Sequence, residues 1–166
     1  ALSSFWANNT IEAYQNNVST ASKPSDLKIT DVRVATIVRA PMRCHIVRLD
    51  TNQGLSGYGE IRDGGSATYA LMLKARLLGE NPCNIDRIFR KIKQFGFHAR
   101  QAGGVCGVEM ALWDLAGKAY NVPAYQMLGG RFRDRIRLYA DTPESHDPKV
   151  FGNKLKDRMT QHGFTF

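Results

Sequence analysis

Long apolar runs are missing from this sequence of 166 residues. No stretch approaches the roughly 18 consecutive apolar residues that a membrane-spanning helix needs, so we predict that the chain does not cross a bilayer. Cysteine is also scarce. The chain has three, an odd number, and they show no CxxC or Cys/His spacing: Cys44, Cys83 and Cys106. This scarcity argues against a disulfide framework and a zinc site, and predicts free thiols that serve in packing.

Clustered positive charge is also missing, although the net charge is +8. The 23 lysines and arginines are scattered among 15 acidic residues. A nucleic-acid interface needs a basic patch or stripe, so we predict no nucleic-acid partner. The composition is otherwise that of an ordinary globular chain, 43% hydrophobic and 23% charged, long enough for one domain with a core or for a small domain plus part of another.

Periodicity is missing from the beginning of the chain. Residues 1–27 are rich in Ser, Asn, Thr and Ala and follow neither a period of 2 nor one of 3.6, which predicts a poorly ordered leader. The chain begins with "ALSSFW" and without Met, as expected for the end of a removed export signal or for a trimmed terminus. The expected location is cytoplasmic, or exported if the first residues are the remnant of a signal.

Alternating patterns begin at Lys28 and predict three strands. "KITDVRVATIVRA" places β-branched residues on both faces, "CHIVRLDT" follows after Pro41, and "LSGYGEI" returns after an "NQG" turn. The glycines of the third strand permit tight curvature and a close backbone approach. Short connections between such strands predict an antiparallel meander.

Three helical segments are predicted next. Ser66 is expected to cap "ATYALMLKARLL", Gly79 to end it in a left-handed conformation, and Asn84 to cap "IDRIFRKIKQF". The longest segment, around "GVEMALWDLAGKAY", places apolar residues at steps of three and four, and pairs Asp114 with Lys118 on its flank. The stripe comprises Val105, Val108, Leu112, Leu115 and Ala119.

A β–α–β pattern ends the chain. After Gly129 and Gly130, "RIRLYADT" is predicted to be a strand, residues 147–162 a helix, and the last residues the opening of another strand. A strand, a crossover helix and a second strand form the repeating unit of a parallel sheet or barrel.

Four motifs, in this order, resemble the enolase superfamily, and most closely its mandelate racemase and muconate lactonizing enzyme branch. They are "GLSGYGE", "LLGENP", "ALWDLAGKAYNVPAYQMLGG" and "RIRLYA". The resemblance covers residues 28–166. It implies an α+β capping domain over residues 28–130, with a three-stranded antiparallel meander plus helices, followed over residues 131–166 by the first βα unit of a truncated TIM-like barrel.

The same resemblance implies a chemistry. Members of the superfamily hold Mg²⁺ in the barrel and remove the proton α to a substrate carboxylate with a Lys or His base. The metal ligands and the acid–base groups would all follow Phe166, so we expect no catalytic residue and no metal ligand in this chain, which alone should be inactive. For the full-length parent we favour dehydration of a sugar acid and a homo-oligomer. Racemisation, epimerisation and cycloisomerisation share the first step and remain alternatives, as does a non-catalytic binding or assembly module.

Five residues are candidates for substrate binding. The resemblance implies that two cap loops fold over the mouth of the barrel, one carrying Met42 and Arg43 and the other carrying Asp63 and Gly64. Arg43 could reach a substrate hydroxyl or carboxylate, or be only a solvated arginine at a hairpin tip. Asp141 follows the first predicted barrel strand, where barrel enzymes place their sites, or it serves only in a turn or helix cap.

The histidines carry no such signal. None of the four has a partner at metal-ligand or triad spacing, so each is interpreted as a surface or packing residue.

Overall fold

The computed structural model describes residues 23–39, 43–61, 65–96, 99–139, 141 and 144–163. The chain divides into two compact units, Ala1–Gly130 and Arg131–Phe166. No helix among the described residues is long and apolar enough to cross a membrane.

The first unit contains the predicted meander. Its strands are β1 (Ile29–Ile37), β2 (Cys44–Thr51) and β3 (Ser56–Ile61), antiparallel in the order β1-β2-β3. The side chains of β2 alternate between a buried and a half-buried face, because successive residues of a strand point to opposite sides. The alternation in the sequence therefore reflects the burial of one face of the sheet. The predicted three-stranded antiparallel sheet is confirmed.

The helices of this unit cover the buried face. They are α1 (Ala67–Met72), α2 (Lys74–Leu77), α3 (Ile85–Ile92), α4 (Ala99–Tyr120) and α5 (Ala124–Met127), with a 3-10 turn at Lys93–Gly96. The predicted single helix after Ser66 is wrong, because the N–H of Leu73 bonds to the Ala70 carbonyl and this tighter turn divides the segment. The side chains of Ser66 and Asn84 make no capping hydrogen bond, whereas Gly79 is left-handed as predicted, with φ of 79°.

The predicted apolar stripe of α4 is the centre of the core. All five of its residues are buried, together with aliphatic residues of the sheet and of α3. The helix lies unusually close to β3, because glycines face it: a Cβ at Gly59 would overlap the carbonyl oxygen of Gly107, and one at Gly57 would overlap that of Ala111. The strand glycines therefore permit backbone-to-backbone packing between α4 and β3.

Packing begins before Lys28, which corrects the predicted end of the leader. Leu27 is fully buried, and Pro24–Asp26 form a 3-10 turn. The backbone N–H of Lys23 donates to Gln53 Oε1 at 2.8 Å, and Asn81 Nδ2 donates to the Pro24 carbonyl at 2.7 Å. The polar composition of this stretch concealed these contacts, because they are made by its backbone. Residues 1–22 lie outside the described part of the chain.

The second unit contains the predicted helix, but the described residues of the predicted strand do not form one. Helix α6 spans Pro148–His162, with Asp147 accepting the Lys149 N–H at 2.8 Å and Gly163 left-handed at its end. The described residues 131–139 and 141 form no strand, and their side chains are exposed. A strand exists only when it is paired, and nothing in the described ranges pairs with this segment. The predicted final strand lies beyond residue 163, outside the described residues.

Candidate functional site

The strand ends that flank the two predicted cap loops lie at the same end of the sheet. Ile37 pairs with Cys44, and His45 pairs with Ile61, so the β1–β2 hairpin and the chain that follows β3 leave the sheet at the same end. We call residues 36–37, 43–45 and 60–61 the loop end. Arg43 lies there with an exposed side chain.

The other predicted site residues do not join Arg43 in the described structure. Met42, Asp63 and Gly64 lie outside the described residues. Asp141 is exposed in the second unit, and it follows residues that form no strand. Substrate contact by these residues therefore stays a prediction that derives from the family resemblance.

A buried histidine is hydrogen-bonded to an exposed threonine at the base of the hairpin. Thr36 and His45 are directly paired between β1 and β2, and Thr36 Oγ1 lies 2.8 Å from His45 Nδ1, within hydrogen-bonding distance. His45 is 9% exposed, so this hydrogen bond satisfies a polar group that is largely removed from water. Of its two interpretations, surface or packing, the burial of His45 favours packing. Residues equidistant from a hairpin turn pair across it, so this partner follows from the sequence only when the turn is located exactly.

The opposite face of the loop end carries a thiol. Burial, followed by the charge and hydrogen bonding of Glu60, raises the pKa of Cys44. The thiol is therefore held in its protonated form, which is a poor nucleophile. The three cysteines are free, as predicted. Cys106 is exposed, however, so the prediction that it packs in the interior is wrong.

Ion pairs occupy the same sheet face away from the loop end. Asp31 accepts from Lys74 at 2.5 Å and from Arg33 at 2.8 Å, and these hydrogen bonds hold its pKa well below its ordinary value. Burial opposes ionisation of Asp50, but hydrogen bonds from Ser56 and Arg48 lower its pKa on balance. These carboxylates are neutralised by their neighbours, which marks them as structural groups.

The helix motif "LWDLAGK" completes the edge of the sheet. Asp114 Oδ2 accepts the Tyr58 N–H of β3 at 2.9 Å, and Lys118 Nζ donates to the Ser56 carbonyl at 2.8 Å and to Asp114 at 2.7 Å. The pair predicted on the flank of the helix exists, and it also satisfies backbone groups of an edge strand. Its role is therefore structural.

A cleft of about 500 Å³ lies apart from the loop end. It is lined by the beginning of α3, the C-terminal half of α4 and Met127 of α5. Cys83 and Tyr120, which line it, share a hydrogen bond, and burial raises the pKa of both. Neither group is thereby prepared for acid–base chemistry near neutral pH.

Metal ligands do not converge in the described part of the chain. There, no group of three or more His, Cys, Asp or Glu side chains could hold a metal ion. The described residues therefore do not fit the Mg²⁺ site that the resemblance implies for the whole enzyme.

Comparison with known families matches this fold and its motifs. The mandelate racemase and muconate lactonizing enzyme N-terminal domain matches residues 10–129. The chain belongs to this family. The match begins earlier than the resemblance at residue 28 suggested, so part of the predicted leader lies within the family's capping domain.

Sequence relatives include sugar-acid dehydratases. The chain is 38% identical over 133 residues to a D-xylonate dehydratase of Haloferax volcanii, covering 75% of this chain and 32% of the relative. It is also 38% identical over 120 residues to a D-galactonate dehydratase of Verminephrobacter eiseniae, covering 68% and 31% respectively. This capping-domain chain spans about a third of the length of these curated relatives.

Solved structures agree with the fold. An enolase from Agrobacterium radiobacter, described as a possible galactarate dehydratase and bound to Na and L-malate, aligns with a TM-score of 0.70 and 32% identity. The alignment covers 83% of this chain and 37% of that one. An enolase from Pantoea ananatis with bound D-gluconate and Mg aligns with a TM-score of 0.66 and 27% identity, over 80% of this chain and 34% of that one.

Proposed function

We propose that this chain is the N-terminal part of a longer enolase-superfamily enzyme that dehydrates a sugar acid. Residues 28–130 are its main capping region and residues 131–166 the beginning of its barrel. The observation that carries the proposal is the identity above 30% to dehydratases of D-xylonate and D-galactonate, two sugar acids. The capping-domain match over residues 10–129 supports the assignment of the first unit.

The proposed reaction removes water from a polyhydroxy carboxylate. A base takes the proton from the carbon beside the carboxylate, the hydroxyl on the next carbon leaves, and the resulting enol rearranges to a 2-oxo-3-deoxy acid. Mg²⁺ is the proposed cofactor of the whole enzyme. Because the described residues do not fit its site, we assign the metal and the acid–base groups to sequence beyond Phe166.

The contribution that we assign to this chain is substrate selection. Arg43 is exposed at the loop end, and a guanidinium can bind hydroxyl or carboxylate oxygens through several N–H groups. We include Met42, Asp63, Gly64 and Asp141 in the proposed contact surface from the family resemblance. The geometric support for this surface is the common departure of both cap loops from one end of the sheet.

The test uses the full-length protein that contains this chain. It is supplied with D-xylonate, D-galactonate and D-gluconate, and 2-oxo-3-deoxy products are measured with added Mg²⁺. Water loss from at least one of these acids is the expected result. An epimerised or racemised product that retains every oxygen would contradict the proposed dehydration and favour the alternative reactions of the superfamily.

The variant Arg43→Ala tests the assigned role. A charge-assisted contact to substrate contributes about 1.5 to 3 kcal/mol, so kcat/KM should fall on the order of 10-fold to 100-fold. The loss should lie mainly in KM, because the contact would serve binding throughout the reaction. Arg87→Ala, at an exposed arginine of α3, is the matched control and should retain the parent's kcat/KM. Equal kinetics for Arg43→Ala and its control would show that Arg43 is only solvated.

A further inference from the structure

We propose that Thr36 and His45 are a positioning pair that holds Arg43 in place for substrate recognition. This inference rests on the proposed function and deepens it. Neither residue is assigned a contact with substrate. Their role would be to fix the ends of the β1–β2 hairpin, so that the guanidinium meets the ligand from a preorganised backbone.

The first argument is that His45 is a buried polar side chain at a position facing the core, whereas its partner Thr36 is exposed. His45 lies on the same face of β2 as Val47 and Leu49, both fully buried. Among the described residues, the buried polar side chains are His45 and Thr51, at opposite ends of this strand. An aliphatic residue at position 45 would pack into the core without burying a polar group. The presence of histidine there therefore indicates that its hydrogen bond has a role.

The second argument is where the pair lies. Beyond the Thr36–His45 pair, the strands continue for one more pair, Ile37 and Cys44, and Arg43 follows directly. His45 is also the partner of Ile61, the last residue of β3. The pair therefore links side chains in the last row that crosses all three strands, at the base of both cap loops.

The third argument is the effect of such a link on recognition. A ligand contact from a mobile segment costs the entropy of ordering that segment, and a preformed segment avoids part of this cost. Arg43 is two residues from His45, so restraint at His45 limits the directions open to the Arg43 backbone. Loss of this one hydrogen bond should therefore raise KM by a small factor and leave kcat unchanged.

The variants are chosen to separate positioning from stability. Thr36→Val removes the hydroxyl while keeping a β-branched side chain, and Thr36→Ser restores it. Thr51→Val is the matched control, because Thr51 Oγ1 donates to the Leu55 carbonyl at 2.8 Å at the other end of β2. Both Val variants remove one threonine hydrogen bond from the same sheet, but only the first is next to the hairpin that carries Arg43.

In the full-length protein, Thr36→Val should raise KM roughly 3-fold to 10-fold, with kcat within about 2-fold of the parent. Thr36→Ser should return KM to the parent value. Thr51→Val should lower the thermal midpoint and leave KM unchanged. An unchanged KM in Thr36→Val, or an equal rise in Thr51→Val, would overturn the proposal.

Hydrogen exchange gives an answer that does not depend on activity. In the full-length protein, Thr36→Val should accelerate amide exchange in peptides that contain Arg43 and Cys44, and Thr51→Val should not. If the parent dehydrates no sugar acid, the proposed function fails, and exchange alone decides whether the pair restrains Arg43. Unaccelerated exchange at residues 43–44 in Thr36→Val would refute the restraint, whatever the activity.

Discussion

The change Gly59→Ala tests the closest contact in the core. A Cβ at this position would overlap the Gly107 carbonyl oxygen, and it would lie 2.9 Å from both Gly107 C and Ala111 N. All three obstacles are backbone atoms of α4. No rotamer change can relieve the overlap, so the helix and the strand must separate locally.

The expected magnitude follows from the nature of the obstacle. Overpacking a core usually costs about 1 to 3 kcal/mol, and we expect about 3 to 4 kcal/mol here because backbone must move. Gly57→Ala should cost less, since one of its obstacles is the Leu115 side chain, 2.6 Å from the added carbon, which can shift. Gly107→Ala should cost least, because its closest contact is 3.0 Å and alanine favours the helix.

Urea denaturation of this chain measures the series, with the midpoint and the slope compared between variants. Gly152→Ala is the control: it adds the same carbon within α6, where nothing lies within 4 Å, and should stabilise by about 0.5 to 1 kcal/mol. If Gly59→Ala unfolds within about 0.5 kcal/mol of the parent, the close approach of α4 to β3 is refuted. If Gly59→Ala does not fold, the free energies of unfolding of Gly57→Ala and Gly107→Ala still test the close approach, because Gly57→Ala should lose more stability.

Two further predictions concern charged groups of the capping domain. Asp114→Ala and Lys118→Met should each lower the free energy of unfolding. Their double-mutant cycle should show a coupling of about 0.5 to 1.5 kcal/mol, because the two side chains bond to each other and to β3. Purely additive losses would contradict the shared network. The pKa of Asp31 is lower in the folded than in the unfolded chain, so its stabilisation is present above about pH 4 and is lost as the pH falls further. Asp31→Asn should therefore flatten the acid limb of a stability–pH profile more than Asp86→Asn does, and parallel limbs for the two variants would count against the Asp31 network.

Sequence periodicity predicts most of the capping domain because burial creates it. The alternation of β2 and the three-and-four steps of α4 are local consequences of facing one core, so they can be read before the fold is known. The break at Leu73 has no such signal, because a tighter turn within a helical pattern leaves the apolar spacing nearly unchanged. The strand predicted over residues 135–142 depends on a partner, and a pattern of residues does not supply one.

The candidate site shows the same division. Family motifs indicate the hairpin that carries Arg43, because strand ends and turn residues are local features. The Thr36–His45 bond depends on register, which follows only when the turn is located and both strands are counted back from it. The burial of His45 agrees with one of its two interpretations, surface or packing, whereas its bond to Thr36 and the position of both residues beside Arg43 depend on the paired sheet.

The spacing between α4 and β3 explains why the helix motif is so particular. Gly107 and Ala111 are small, and so are Gly57 and Gly59 opposite them, which lets the two backbones meet. Only a helix this close can bring a short aspartate side chain to a strand N–H, as Asp114 does at Tyr58. A larger residue at any of the small positions would move the carboxylate away from the strand edge. The glycines and the Asp114–Lys118 pair therefore act together. The glycines allow close packing, which positions the charged pair, and the pair then satisfies backbone groups at the edge of the sheet.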